Sequence, residues 1–134
     1  MAHSVWLVKA LGLGALREKG RGGKLSPMLS HDVFFSLVDS SAAAASRLVD
    51  SCQAKLRDHP GVLFFSAGSR VLDLEREVND SEFHVALHVV FDSRASHDAY
   101  QEAPEHHAFI EENEGNWAAV RVFDSEVSGG VCEH

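Results

Sequence analysis

Apolar and polar residues alternate with a period of two in some stretches of this chain and recur every three or four positions in others. His31 to Val38 (HDVFFSLV) is short, aromatic and β-branched, and it reads as a buried strand. Asp39, Ser40 and Ser41 then offer N-cap oxygens, and Ala45, Leu48, Val49, Cys52 and Leu56 form the apolar stripe of a helix over about 41–57. Asp58-His59-Pro60-Gly61 ends that helix, because proline cannot continue it and glycine permits the turn. Val62 to Gly68 reads as a second strand, and the charged segment 70–82 closes on the turn-forming Asn79-Asp80-Ser81. The clearest alternation lies in Phe83 to Phe91. It predicts a strand with Phe83, Val85, Leu87, Val89 and Phe91 on one face and His84, Ala86, His88 and Val90 on the other. A helix from Ser93 to about Glu102, a second helical piece from Glu105 to about Asn113 and a last strand from Trp117 to Asp124 complete the pattern.

The order β-α-β-β-α-β predicts an α+β, ferredoxin-like fold: an antiparallel sheet with helices on one face only. The other face carries apolar residues with His84 and His88, and an open apolar face of that kind calls for a cover. A second copy packed face to face, closing a dimeric α/β barrel, would supply one.

Composition narrows the partners. The 134 residues suffice for one core, with 45% hydrophobic and 24% charged residues. The net charge of −8 is unevenly spread: residues 1–27 hold five basic groups against Glu18, and the remainder holds 7 basic and 19 acidic residues. An acidic body repels nucleic acid and anionic membrane, so neither is an expected partner. Two cysteines, Cys52 and Cys132, do not make a disulfide framework, and a cytoplasmic location is the default. No apolar run reaches the length of a membrane span. Residues 1–27 are expected to be a flexible or mis-assigned extension, 28–127 the domain and 128–134 a tail. The glycines around Lys24 superficially suggest a phosphate loop, but Leu25 stands where Ser or Thr should follow the lysine.

The candidate chemistry is concentrated in HDAYQEAPEHHAF (97–109), where Tyr100 and His106 flank a proline-marked break. A histidine can take a proton α to a carbonyl and a tyrosine can donate to the developing enolate. The same two side chains could instead brace the junction between two helices. His84 and His88 share a strand face but stand about 13 Å apart at ordinary strand rise, too far to share a metal within one subunit, so they are placed on the dimer face and no metal site is expected.

These residues resemble the stress-responsive A/B barrel (Dabb) family over about His31 to Asp124. The resemblance rests on His31 in the first strand, the Pro60-Gly61-Val62 turn, Phe83–Phe91 followed by Asp92, and Ala99-Tyr100 before Pro104. His106 and Phe109 after that proline, and the closing Val122-Phe123-Asp124, complete it. The family's H-P-x-H-x-x-F run stands here as Ala103 to Phe109, with alanine for the first histidine. The resemblance implies a homodimer with a small pocket between sheet and helices in each subunit; no cofactor is expected. On this chain that pocket would involve His31, Val33, Phe35, Val85, Leu87 and Phe109. One polyketide cyclase of the family uses a histidine and a tyrosine, which would fall on His106 and Tyr100. The readings left open are a stress-related protein binding a small organic ligand, a cofactor-free cyclase or isomerase of a carbonyl substrate, and a small monooxygenase of the dimeric α/β-barrel type.

Overall fold

In the computed structural model, which describes residues 27–130 and Cys132, four strands and three helices follow one another as the alternation predicts. They are β1 (Met28–Leu37), α1 (Ala42–Leu56), β2 (Val62–Ser69), β3 (Val85–Phe91), α2 (Arg94–Glu102), α3 (Pro104–Asn113), a 3-10 turn (Glu114–Asn116) and β4 (Trp117–Val127). The sheet order is β2-β3-β1-β4 and every pairing is antiparallel, the ferredoxin-like arrangement. The phosphate-loop-like glycines and the expected N-terminal extension lie outside the described residues. Among the described residues no helix is long and apolar enough to cross a membrane.

The two central strands bury alternate residues. Leu29, His31, Val33, Phe35 and Leu37 of β1, and Val85, Leu87, Val89 and Phe91 of β3, face the helices. Helix α1 starts at Ser41, whose side chain accepts the Ala44 N–H, and lays Ala45, Leu48, Cys52 and Leu56 on the sheet. Cys52 is fully buried and burial pushes its thiol up to about 12, so it packs as a small apolar residue.

The Pro60-Gly61 turn has a second purpose. Gly61 has φ +88°, and a Cβ there would run into the Ser96 side chain at the start of α2. Its carbonyl accepts the Asp92 N–H, while Asp92 accepts from Ser96 Oγ at 2.6 Å. Turn and helix start are thereby fastened together.

Three boundaries differ from the sequence expectation by more than one residue. β1 begins at Met28 and β4 runs on to Val127, because these ends pair with each other across the sheet. β3 begins at Val85, two residues late. The His84 N–H donates to the Phe35 carbonyl, and His84 Nδ1 accepts the Leu37 N–H at 2.9 Å. His84 therefore ties down the end of β1 through both its backbone and its ring. Phe83 leaves the alternation and packs edge-on against Phe34, with ring centroids 5.1 Å apart.

That open face carries Phe34, Phe64 and Phe123, the last two about half exposed. His88 lies here too, its Nδ1 2.7 Å from Asp32 Oδ1 across the β1–β3 pair.

Candidate functional site

Proline 104 builds the site. It forces the preceding residue out of the helical region, and Ala103 is extended at φ −69°, ψ 144°. The chain thus stops one helix and starts another within one residue, with the Ala103 carbonyl accepting N–H groups from both His106 and His107. On α2, His97, Tyr100 and Gln101 are buried at i, i+3 and i+4, the spacing of a single helix face. On α3, His106, Phe109 and Ile110 do the same. The break turns Tyr100 and His106 toward each other, with ring centroids 4.8 Å apart.

Between these helices and the sheet lies a partly open cavity of about 70 Å³. Its apolar wall includes Val33, Phe35, Leu87, Phe109, Ile110 and Val122, and its polar members are His31, Tyr100, Gln101 and His106. Of the residues expected to form a pocket, Val85 is the exception: it is fully buried in the core and does not line the cavity. It sits at the end of β3, whereas the cavity wall on that strand is Leu87.

Three of these polar members have too few partners. Tyr100 Oη, His106 Nδ1 and both amide atoms of Gln101 are buried and meet no hydrogen-bond partner among the described residues. Buried polar atoms are normally paired, and leaving one unpaired costs about 1–3 kcal/mol. Burial raises the Tyr100 phenol far above its ordinary value, so it is a donor at any physiological pH. Burial, assisted by the neighbouring histidines His31, His107, His59 and His97, lowers His106 to about 3. It is therefore neutral at pH 7 and weak as a base.

A second group adjoins the cavity. His31 and Asp124 are direct cross-strand neighbours in the β1–β4 pair, and His31 Nδ1 lies 2.6 Å from Asp124 Oδ1. Burial pushes the Asp124 carboxyl up, but the hydrogen bond and charge of His31, with His97 and Arg94, outweigh it and hold the group below the usual carboxylate range. His97 stands beside them, its ring 5.1 Å from that of His31, and its Nδ1 is 2.9 Å from Asp98 Oδ1. Burial lowers His97, although the hydrogen bond to Asp98 opposes the shift.

Sequence reasoning singled out His31, Tyr100 and His106, which the fold brings together. It missed Gln101, His97 and Asp124. The i, i+3, i+4 spacing of 97, 100 and 101 was the available signal for the first two. Asp124 needed the β1–β4 register.

The family described as Stress responsive A/B Barrel Domain (Dabb) matches residues 29–127. No curated protein matches the sequence. Among solved structures the chain is similar to a Dabb-family protein with a ferredoxin-like fold from Mesorhizobium loti. The two share 20% identity with a TM-score of 0.64, over 78% of this chain and 100% of that one. A dimeric ferredoxin-like protein of unknown function from Thermobifida fusca matches with 13% identity and a TM-score of 0.63, over 81% and 100%. A hydroxynitrile lyase from Passiflora edulis matches with 17% identity and a TM-score of 0.62, over 79% and 98%. At these identities the likeness is one of fold.

Proposed function

The chain belongs to the stress-responsive A/B barrel family, and from that premise we propose that it works as a homodimer whose cavity takes a small organic molecule with a polar head, such as a carbonyl. The observation that carries this reading is the set of buried, unpartnered atoms on Tyr100, Gln101 and His106 inside an otherwise apolar wall. Apolar lining with a few convergent polar groups is the usual make-up of a small-ligand site. A carbonyl oxygen would accept from the Tyr100 hydroxyl and the Gln101 amide, and the apolar wall would take the rest.

The open sheet face supports the dimer half of the proposal. Phe34, Phe64 and Phe123 leave aromatic surface in water that a second copy would cover, and the Thermobifida fusca neighbour is described as dimeric.

A second reading, proton transfer on a carbonyl substrate, is favoured by the His31–Asp124 pair. A carboxylate on Nδ1 orients an imidazole and leaves its other nitrogen as the base. On this reading His31 takes the proton, Tyr100 donates, and His106 contributes a neutral hydrogen-bonding group.

Titration with acetone, a carbonyl small enough for the cavity, followed by protein NMR tests the first reading. Shifts confined to the cavity are expected, with binding about 3–10-fold weaker in Tyr100→Phe, the worth of one hydrogen bond. Absence of shifts, or equal binding by the variant, would count against it.

A further inference from the structure

We infer that His31, His97 and Asp124 form a binding site for a divalent transition-metal ion of the zinc type at the rim of the cavity. The site uses His97 and Asp124, which the small-ligand reading does not need, so the two stand or fall separately.

Geometry is the first argument. One ring nitrogen from each histidine and one oxygen of Asp124 all lie within 4.8 Å of one another. Ligand atoms around a tetrahedral zinc stand about 3.3 Å apart at ordinary Zn–N and Zn–O lengths. Asp124, with its side chain 44% exposed, is the least enclosed of the three.

An unexplained polar atom is the second argument. His97 is more than nine-tenths buried, yet its Nε2 meets no hydrogen-bond partner among the described residues. Its other nitrogen is engaged with Asp98 at 2.9 Å. A carboxylate on one ring nitrogen while the other faces a cation is the arrangement that fixes the tautomer of metal-bound histidines.

Charge is the third. Asp98 and Asp124 bring two negative charges, and Arg94, paired with Asp98 at 2.9 Å, brings one positive charge. The balance favours a cation. Two imidazoles and one carboxylate suit zinc-like ions rather than magnesium or calcium, and three protein ligands leave a fourth position for water or for a ligand oxygen. A bound ion would take the place of the proton shared by His31 and Asp124. Metal binding and the His31–Asp124 base are therefore mutually exclusive uses of one pair.

The test uses the full chain, stripped with EDTA and freed of chelator, titrated with Zn²⁺ by calorimetry and with Co²⁺ by visible absorption. One equivalent per chain with micromolar or tighter affinity is expected, together with the d–d bands of low-coordinate Co²⁺. His97→Gln should weaken Zn²⁺ at least about tenfold, and Asp98→Asn by a similar factor, as outer-shell losses usually do. His88→Gln, which alters the exposed His–Asp pair, should leave it unchanged. In the wild-type chain, Zn²⁺ should shift the ring resonances of His31 and His97, a readout independent of any variant's folding. Absence of stoichiometric binding, or binding that survives His97→Gln and leaves those two rings unmoved, overturns the inference. Absence of zinc binding with acetone binding intact would sink the metal site alone.

Discussion

β1 carries two histidine–aspartate pairs in successive positions, and they face opposite ways. His31 pairs with Asp124 of β4 at 2.6 Å on the helix side; Asp32 pairs with His88 of β3 at 2.7 Å on the open side. The bond lengths are nearly equal and the residue types identical. What differs is the surroundings: the His31 side chain is 4% exposed and the His88 side chain 41%. Water can complete the bonding of the second pair. The first has His97, Tyr100 and a cavity beside it, and its polar atoms must be satisfied by the protein or by something that enters. A pair of residues becomes a site through what is packed around it.

The two faces should break differently under mutation. Phe35, 2% exposed and packed against Phe109 and Trp117, should cost about 3–5 kcal/mol when cut to alanine, by loss of burial and creation of a cavity. Its neighbour Phe34, on the open side, should cost the monomer far less. Phe34→Asp should instead abolish self-association, read by light scattering after size exclusion.

Acid should act through the helix side. The unfolded chain protonates a histidine near its ordinary value of about 6.5, whereas folded His106 does so only at about 3. Between those values the unfolded state holds more protons, so the stability of the fold declines as pH falls. The slope should be about 1.4 kcal/mol per pH unit for such a histidine. Denaturant melts across pH 7 to 4 would measure it, and His106→Leu should flatten the curve.

The paired substitutions Asp124→Ala and Asp32→Ala compare the two dyads directly. Removing Asp124 strands the buried His31 Nδ1 and should cost about 1–3 kcal/mol. Removing Asp32 leaves His88 to water and should cost under about 1 kcal/mol. Equal costs would erase the distinction between the two faces.

The fold was legible because alternation in 31–38 and 83–91 and the stripe Ala45, Leu48, Cys52, Leu56 each carry a local period that burial imposes. Where the backbone obeyed a non-local partner, the reading slipped. His84 is drawn off the strand by the Phe35 carbonyl and the Leu37 N–H, which no local pattern announces. In the site, Tyr100 and His106 were visible through Pro104. Asp124 was not, because only the β1–β4 register places it opposite His31. Gln101 reads as an ordinary polar helix residue until its burial is known.

The central claim is that the polar atoms in the cavity serve a ligand and not the fold. Equilibrium denaturation of Tyr100→Phe, with no ligand present, tests it most directly. An unsatisfied buried hydroxyl contributes nothing to stability, so the variant should be as stable as the wild type or more stable by up to about 1 kcal/mol. A loss of more than about 1 kcal/mol would mean that the hydroxyl is already bonded within the folded chain, and the cavity would then be a packing feature of the helix junction.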